Sequence, residues 1–388
     1  MVKKIGIITG TRAEYGLLKP LIEKVSKDIE LELQLFATGM HLSPEFGLTY
    51  KLIEEDGFSI DEKIEMLLSS DTNVGINKSI GLGIMGFAEA YARLQPDMVI
   101  ALGDRYETLA AVIAAMVSKI KVAHIHGGER TEGAIDDAIR HSITKMSHLH
   151  FTSTEVYKRR VIQLGEQPDT VFNVGALGVE NIKRIQLLGK EELEERIEFK
   201  FDGPVAMVTF HPVTLEAATA SIQFKELLNA LDTHKVLKVI FTKANADSDG
   251  RIINQMIDAY VEQNKERACA FVSMGQLNYL SAMKYSDVVI GNSSSGIIEA
   301  PSFQVPTINI GDRQKGRVMA ESTLNCEPIE ADISQAIEKA MSKSFKEKIS
   351  KIPNPYEKGH TSESIIAIIK EKIEDVNIKK VFYDYEVR

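Results

Sequence analysis

The sequence predicts an α/β protein with two doubly wound domains, each a parallel sheet with helices on both faces. The chain has 388 residues, which is more than one hydrophobic core usually serves. Apolar runs typical of strands alternate with helical periods along nearly its whole length. The alternation restarts at Pro204, after a glycine-rich seam near residues 174–190 and the charged run 190–200. We therefore expect domains at 1–175 and 176–361, with a helix and tail at 362–388 that pack back on the first domain.

Each half of the chain contributes one series of strands. In the first half we expect strands at Lys4–Thr9, Leu31–Thr38, Met98–Leu102, Val122–His126, Leu149–Thr152 and Val171–Val174. Helices are expected between them, for example at Leu17–Lys27, Ile76–Leu94, Thr108–Ser118 and Asp137–Ser147. In the second half the expected strands are Pro204–Phe210, Val236–Thr242, Ala270–Val272, Asp287–Gly291 and Thr307–Ile310. Strands that are joined by helices pair in parallel.

Composition and charge limit the classes of partner, without forbidding a local basic pocket for a phosphorylated ligand. Hydrophobic residues make up 44% and charged residues 26% of the chain, the net charge is −9, and the pI is about 5.6. This acidic balance argues against nucleic acid or an anionic membrane as the main partner. No signal-like segment precedes the first strand, and no apolar run reaches the ~18 residues of a membrane span. Two distant cysteines, Cys269 and Cys326, indicate inert thiols in a reducing, cytoplasmic compartment.

Polar residues cluster where several predicted strands end. Ligands bind at the carboxyl ends of the strands in doubly wound folds. The segments concerned are Thr9–Arg12, Gly103–Arg105, His126–Glu129, His211–Pro212 and Gly291–Gly296. We therefore expect an enzyme whose two domains face each other across a cleft that contains the active site.

The most informative of these segments is Gly291–Glu299 (GNSSSGIIE). It follows the apolar run Val288–Ile290 and opens a segment with helical character. Unpaired N–H groups at a helix start bind phosphate, and three serine hydroxyls add further donors. Glu299, one turn on, is placed to accept hydrogen bonds from ribose hydroxyls. A capped helix without a ligand is the alternative interpretation, because serine is a favoured cap residue.

Two segments of the first domain combine arginine with turn residues. Arg12 stands at a helix start in a segment that lacks both the dinucleotide fingerprint and the P-loop pattern. Its guanidinium is suited to bind a diphosphate, although a surface arginine on a turn is equally consistent. Asp104 and Arg105 follow the strand at Met98–Leu102. They form either a structural ion pair or a catalytic carboxylate whose pKa is tuned by its neighbour.

The densest polar cluster runs from His124 to His141. A metal site at His124 and His126 is a weak alternative, since no further ligand spacing supports it. Acid–base catalysis by Glu129 and Asp136 is the favoured interpretation, with Arg140 placed to keep Asp136 ionised. A helix that begins with favourable acids would account for the same residues without catalysis.

Two segments of the second domain complete the candidate site. His211 ends the first strand of that domain, where a histidine can donate to a phosphate or carry a proton. The loop 311–317 (GDRQKGR) contains Arg313, Lys315 and Arg317. These cations form either a solvated loop or a clamp that neutralises a diphosphate.

These motifs carry a family resemblance. The chain resembles the UDP-N-acetylglucosamine 2-epimerases, and specifically the hydrolysing branch from bacterial sialic acid synthesis. The matching segments span nearly the whole chain in order: Thr9–Leu17, Gly103–Tyr106, His124–Glu129, Ile139–Leu149, Arg160–Gly165, Asn173–Gly175, Phe210–Pro212, Gly291–Glu299 and Asn309–Arg317. Alanine follows Arg12, which is similar to hydrolysing members. Non-hydrolysing members usually have proline at this position.

The resemblance implies a GT-B-type pair of Rossmann-like domains with an interdomain cleft, no metal or nicotinamide cofactor, and a homo-oligomer (dimer or tetramer). It implies release of UDP from UDP-N-acetylglucosamine through 2-acetamidoglucal, and water addition to give N-acetylmannosamine for sialic acid or surface polysaccharide synthesis. The residues that it implies as catalytic are Asp104, His126, Glu129, Asp136 and His211. The residues that it implies as UDP-sugar ligands are Arg12, Arg105, Asn245, Ser293, Ser294, Ser295, Gly296, Glu299, Arg313 and Arg317.

One position departs from the family pattern. Many members have glutamate where this chain has His126, and the segment leading to Asp136 is one residue longer. Either His126 takes over the acid–base role, or Glu129 supplies the carboxylate.

Several alternatives to this activity stay open at the level of sequence. A hydrolysing epimerase of UDP-2,4-diacetamido-2,4,6-trideoxyglucose, on the way to legionaminic acid, would carry the same motifs. A non-hydrolysing epimerase would differ in whether UDP leaves for good. A glycosyltransferase would need an acceptor pocket, and a silent UDP-sugar-binding protein should lack the pair Asp104 and Asp136.

Overall fold

The chain folds into two compact α/β units, each built on a parallel sheet. The computed structural model describes residues 2–68, 72–131, 135–212, 220–244 and 250–384. Unit 1 comprises Met1–Glu129, Asp136–Asn181 and Lys358–Arg388, and unit 2 comprises Arg130–Ile135 and Ile182–Glu357. The predicted fold class is confirmed.

Unit 1 contains a sheet of seven parallel strands in the order β3-β2-β1-β4-β5-β6-β7. These strands are β1 (Lys3–Thr9), β2 (Leu31–Thr38), β3 (Glu62–Ile64), β4 (Met98–Leu102), β5 (Lys121–Ile125), β6 (Leu149–Thr152) and β7 (Val171–Asn173). The helices are α1 (Arg12–Lys27), α2 (Tyr50–Glu55), α3 (Asn73–Leu94), α4 (Tyr106–Val117), α5 (Asp136–Met146), α6 (Glu155–Gln163) and α7 (Leu177–Arg184), which runs into unit 2. Short 3-10 helices occupy Gly39–Leu42, Pro44–Phe46 and Pro168–Thr170.

Unit 2 contains a sheet of six parallel strands in the order β10-β9-β8-β11-β12-β13. These strands are β8 (Val205–Thr209), β9 (Lys238–Thr242), β10 (Ala268–Phe271), β11 (Val288–Gly291), β12 (Thr307–Ile310) and β13 (Thr323–Cys326). The helices are α8 (Lys190–Ile197), α9 (Ala220–Thr233), α10 (Gly250–Gln263), α11 (Gly275–Tyr285), α12 (Ser294–Ile298), α13 (Glu330–Met341) and α14 (Lys343–Ile349). A 3-10 helix spans Ala300–Phe303, and the last helix of the chain, α15 (Thr361–Lys372), belongs to unit 1.

The predicted strands all occur, each within two residues of its expected ends. The reason is burial, since β1, β4, β8 and β11 are almost entirely buried and therefore appear in the sequence as continuous apolar runs. Strands β3 and β13 were not predicted; they lie at sheet edges and are only partly buried. Edge strands carry polar residues on exposed faces and give a weak apolar signal.

Helix α15 completes the core of unit 1. Ile365, Ile366, Ile369 and Ile373 pack in the same hydrophobic cluster as residues of β1, β2 and α1. Hydrogen bonds reinforce this packing, because the Thr361 hydroxyl donates to the Val174 carbonyl at 2.9 Å. The fold of unit 1 therefore depends on residues from both ends of the chain.

Unit 1 extends six residues beyond the boundary expected after Gly175. Glu180 accepts hydrogen bonds from the backbone N–H and the hydroxyl of Ser362, both at 2.7 Å. Asn181 donates to the Gly16 carbonyl at 2.8 Å. Since these partners lie in α15 and α1, the start of α7 belongs with the first sheet.

No helix among the described residues is both long enough and apolar enough to cross a membrane.

We expect Ile369→Ala to lower the free energy of unfolding by about 2–5 kcal/mol, because it leaves a cavity in the core of unit 1. The same substitution at Ile29, whose side chain is 92% exposed, should change it by less than about 0.5 kcal/mol. Urea denaturation of both variants measures the difference. Equal stabilities would mean that α15 is not a core element of unit 1.

Candidate functional site

The ends of β4 and β5 are held together by one buried arginine, Arg140. Its side chain is 2% exposed, and its Nη2 atom donates to Oδ2 of Asp104. Its Nη1 atom donates to the carbonyl of Glu129 at 3.0 Å. One guanidinium therefore fixes two of the predicted catalytic segments in unit 1. Sequence reasoning missed this ion pair because its partners lie far apart in the chain.

Glu129 is buried beside His126. Oε1 of Glu129 accepts a hydrogen bond from the Ser153 hydroxyl at 2.9 Å and lies 3.9 Å from Nδ1 of His126. The two side chains, which the sequence analysis named as alternatives, are therefore neighbours.

His126 adopts a left-handed backbone conformation with a φ of 64°. This region is uncommon for residues other than glycine, although asparagine, aspartate and histidine enter it more often than other residues do. The predicted strand Val122–His126 ends one residue early, at Ile125, so His126 lies in the turn after β5. Backbone strain of this kind clusters at functional sites, where the surrounding structure maintains it.

His124 has a structural role. Its Nε2 atom lies 2.7 Å from the Gly103 carbonyl, and its Nδ1 atom lies 3.0 Å from the Thr144 hydroxyl. Burial lowers the pKa of His124 to about 3, so the imidazole is neutral at physiological pH. This neutral ring fixes the turn that presents Asp104.

Asp136 and Asp137 begin α5, where carboxylates interact favourably with the helix dipole. Oδ1 of Asp137 lies 3.8 Å from Nη1 of Arg140. That Arg140 keeps Asp136 ionised stays a prediction.

Helix α1 begins at Arg12, and Thr11 and Glu14 form a capping box at its start. The Thr11 hydroxyl accepts from the Glu14 backbone N–H at 3.2 Å. The Glu14 carboxylate accepts from the N–H groups of Gly10 at 2.7 Å and Thr11 at 3.1 Å. The spacing Thr-x-x-Glu is a sequence signal for this arrangement, and it was missed. The box fixes the turn from which Arg12 projects.

Arg105 caps α4 and pairs with Glu107. Its Nη2 and Nε atoms donate to the two carboxylate oxygens of Glu107 at 2.9 and 3.2 Å. The guanidinium that binds Asp104 is that of Arg140. Arg105, the predicted partner of Asp104, pairs with Glu107 instead. Burial raises the pKa of Glu14 to about 7, with the charges of Arg105 and Glu107 acting in opposite directions.

In unit 2 the segment Ser293–Gly296, called here the serine segment, follows the end of β11 at Gly291. The Ser293 hydroxyl caps α12 by accepting from the Ser295 N–H at 3.4 Å, and α12 then runs from Ser294 through Gly296 to Ile298. This helix has only five residues, so its dipole is small and the donors for an anion are the local N–H and hydroxyl groups. The predicted phosphate site at Ser293, Ser294, Ser295 and Gly296 depends on those groups.

Glu299 ends α12 and accepts a hydrogen bond from the Ser295 hydroxyl. Burial raises the pKa of Glu299, and the hydrogen bond from Ser295 opposes that rise. Tyr279 bonds to Ser295 and Thr209, and burial raises the pKa of its phenol. Glu299 is therefore held in a defined orientation by its own helix.

The end of β8 and the loop after β12 meet at Asn292. His211 is 8% exposed, and both its N–H and its carbonyl bond to the Asn292 side chain. Nη1 of Arg313 donates to the Asn292 carbonyl at 3.0 Å. Three predicted elements of unit 2 are thus brought together. Asn292 was quoted in the serine motif, but sequence reasoning gave it no role.

Two further predicted ligands have different outcomes. Nη2 of Arg317 lies 3.5 Å from the Thr131 hydroxyl, which also belongs to unit 2. Asn245 lies outside the described residues.

The described part of the chain contains no group of three or more histidine, cysteine, aspartate or glutamate side chains arranged to hold a metal ion. Cys269 and Cys326 are free thiols, and burial raises the pKa of each to about 12.

Comparison with known proteins identifies relatives along nearly the whole chain. The family model described as UDP-N-acetylglucosamine 2-epimerase matches residues 23–370. A Campylobacter jejuni protein named GDP/UDP-N,N′-diacetylbacillosamine 2-epimerase (hydrolyzing) is 48% identical over 345 residues, 89% of each chain. The Escherichia coli polysialic acid biosynthesis protein P7 is 40% identical over 99% of this chain and 98% of its own. A Legionella pneumophila UDP-N,N′-diacetylbacillosamine 2-epimerase (hydrolyzing) is 36% identical over 95% of this chain and 96% of its own.

Solved structures share the fold. A UDP-N-acetylglucosamine 2-epimerase from Neisseria meningitidis superposes with a TM-score of 0.79 at 18% identity, covering 95% of this chain and 100% of its own. A Methanocaldococcus jannaschii UDP-N-acetylglucosamine 2-epimerase gives 0.78 at 19% identity, covering 95% of this chain and 99% of its own.

Glu14 makes the stability of the protein depend on pH. Its pKa is about 7 in the folded protein, against an ordinary value of 4.5, so the folded state binds the proton more tightly. The resulting stabilisation is complete below about pH 4.5 and is lost as the pH rises through about 7. Between pH ~5 and pH ~8 we expect the wild type to lose up to about 3 kcal/mol of unfolding free energy relative to Glu14→Gln. Urea denaturation at both pH values measures this loss.

The matched control is Glu32→Gln, at an exposed position on β2. It should follow the wild-type pH dependence. If Glu14→Gln did the same, Glu14 would not be the titrating group.

Proposed function

Because the chain belongs to the UDP-N-acetylglucosamine 2-epimerase family, in its hydrolysing branch, we propose that it releases UDP from UDP-N,N′-diacetylbacillosamine and inverts carbon 2 of the sugar. The substrate is UDP-2,4-diacetamido-2,4,6-trideoxyglucose, and the products are UDP and 2,4-diacetamido-2,4,6-trideoxymannose. The observation that carries this choice is the 48% identity to the Campylobacter jejuni relative that is named for this sugar. The Legionella pneumophila relative with the same sugar in its name adds support.

The proposed reaction proceeds by elimination and addition. A base removes the proton from carbon 2 while the bond from carbon 1 to the UDP oxygen breaks, which leaves a double bond between carbons 1 and 2. An acid then delivers a proton to carbon 2 from the opposite face, and water adds its hydroxyl group to carbon 1. The proton on carbon 2 is weakly acidic, so the reaction needs positioned acid–base groups and stabilisation of the departing diphosphate.

The acid–base groups proposed are those of unit 1. Asp104 is held by Arg140, which also fixes the backbone of Glu129. We assign removal and return of the carbon 2 proton to two of the groups Asp104, Asp136 and the neighbouring pair of His126 and Glu129. The 3.9 Å separation between Nδ1 of His126 and Oε1 of Glu129 supports a shared role for the two side chains.

The diphosphate ligands proposed are cations and N–H donors. In unit 2 the serine segment, His211 and Arg313 are joined through Asn292. These groups offer positive charge and hydrogen-bond donors that stabilise a leaving diphosphate. We assign Arg12 and Arg317 the same type of role, and we assign Glu299 to accept hydrogen bonds from the ribose hydroxyls.

UDP-N-acetylglucosamine is the second candidate substrate. Its reaction would involve the same carbons 1 and 2, so the same acid–base groups would serve it. The observation that favours it is the Escherichia coli relative, which matches nearly the whole chain and is named for polysialic acid biosynthesis.

Proton NMR in heavy water tests the proposal. The purified protein is incubated separately with UDP-N,N′-diacetylbacillosamine, its GDP-linked counterpart and UDP-N-acetylglucosamine. We expect free UDP, a free sugar carrying deuterium at carbon 2, and the highest kcat/KM for UDP-N,N′-diacetylbacillosamine. A higher kcat/KM for UDP-N-acetylglucosamine would establish the second candidate. An intact UDP-linked epimer, or a product without deuterium, would contradict hydrolytic elimination.

We expect His126→Gly to reduce kcat by about 10²-fold or more, because it removes an acid–base group. The same change relieves a left-handed conformation, which offsets the entropy that glycine loses on folding. The melting temperature should therefore stay within a few degrees of the wild-type value. Steady-state kinetics and thermal unfolding of one preparation give both quantities.

Gln304→Gly is the control for the backbone effect, since Gln304 is exposed and has a φ of 58°. It should retain wild-type kcat. Wild-type turnover by His126→Gly would remove His126 from the mechanism.

A further inference from the structure

Asn292 is buried at the point where β11 meets the serine segment. It is 1% exposed, and its backbone and side-chain polar groups all take part in hydrogen bonds. Its backbone N–H donates to the Thr209 carbonyl at 3.1 Å, which ties the end of β11 to the end of β8. The side-chain amide at this position connects elements that the sequence separates by about eighty residues.

The side chain of Asn292 clamps the backbone of His211. Its Oδ1 atom accepts from the His211 N–H at 2.7 Å, and its Nδ2 atom donates to the His211 carbonyl at 2.7 Å. The amide thus acts as a neighbouring strand would, by satisfying both polar groups of one residue after β8 has ended. Only a side chain that both donates and accepts can form this pair of bonds.

The carbonyl of Asn292 accepts two hydrogen bonds from side chains of the loop after β12. Nη1 of Arg313 donates to it at 3.0 Å and Nε2 of Gln314 at 2.8 Å. Gln314 is 1% exposed, so its bond is shielded from water. A displacement of Asn292 would therefore move His211 and Arg313 together.

Gly291 makes this approach possible. A Cβ atom at residue 291 would lie 1.9 Å from the Thr209 carbonyl oxygen, and the φ of Gly291 is 135°. The backbones of β11 and β8 can therefore approach this closely only because residue 291 has no side chain. Asn292 is the next residue, so its position depends on this approach.

We propose that Asn292 is a positioning residue for the diphosphate of the substrate: its amide fixes His211, and its carbonyl fixes Arg313, relative to the serine segment. The assignment rests on the proposed function, because it concerns the groups that are to bind UDP. Asn292 need not touch the ligand. It sets the distances among three groups that do.

The test is Asn292→Asp, which keeps the size of the side chain but replaces the donor with an oxygen. When ionised, the carboxylate introduced by this substitution would face the His211 carbonyl and repel it, whereas a protonated carboxyl can donate to it. At pH ~8 we expect the dissociation constant of UDP and the KM of the sugar nucleotide to rise at least tenfold. Both should move back toward wild-type values as the pH is lowered to ~5.5, with wild type measured at each pH. Calorimetry and steady-state kinetics supply these numbers.

A purely structural role predicts a different result. Loss of stability reduces the active fraction, which lowers the apparent kcat and leaves KM and the UDP dissociation constant unchanged. Asn264→Asp is the matched control, since this asparagine follows α10 in unit 2 and also makes two side-chain hydrogen bonds. It should bind UDP as the wild type does.

Gln314→Met provides a second route if Asn292→Asp does not fold. It removes one of the two bonds to the Asn292 carbonyl and nearly keeps the side-chain volume. We expect a severalfold rise in the UDP dissociation constant. Wild-type UDP binding and KM in the folded variants would overturn the assignment of Asn292 alone. A wild-type protein that neither binds UDP nor turns over a UDP-sugar would overturn the proposed function, and the assignment with it.

Discussion

The buried guanidinium of Arg140 is the interaction on which the organisation of unit 1 depends. A charge removed from water is tolerated only when it is paired and hydrogen-bonded. Arg140 meets this condition with the Asp104 carboxylate and the Glu129 carbonyl. Its position on α5 follows from the helix packing against the sheet, so the fold itself sets where the two candidate catalytic segments lie. Such a pair adds little net stability, and its value is in fixing geometry.

Unit 2 achieves a similar result with neutral groups. Asn292 joins three chain segments through amide and carbonyl hydrogen bonds. One of the hydrogen bonds that orient the guanidinium of Arg313 goes to a neutral acceptor, the carbonyl of Asn292. For the roles that we propose, Asp104 lies beside the fixed positive charge of Arg140, and the diphosphate site combines the cation of Arg313 with neutral hydrogen-bonding groups.

The sequence was sufficient for the parts of the fold that leave a periodic or apolar signal. Buried central strands such as β4 are continuous apolar runs, whereas the edge strand β3 is short and partly exposed, and was missed. Individual motifs were also visible, including the serine segment. What the sequence could not supply was pairing. The neighbours Asp104 and Arg105 suggested an ion pair, but Arg105 contacts Glu107 and Asp104 contacts Arg140. The left-handed backbone of His126 was likewise not predicted, because histidine adopts this conformation in only a small fraction of cases.

The position of α15 has a consequence for how the protein is made. Its isoleucines fill the core of unit 1 next to β1 and α1, yet they are translated after all of unit 2. While unit 2 is being synthesised, the apolar surface of β1, β2 and α1 that α15 covers in the folded protein is therefore exposed. Domains generally fold as units in the order of their emergence, and exposed apolar surface favours aggregation. Unit 2, although second in the sequence, is therefore the first unit that can complete its core. Until α15 has been synthesised, the first half of the nascent chain is the part that most needs protection by chaperones.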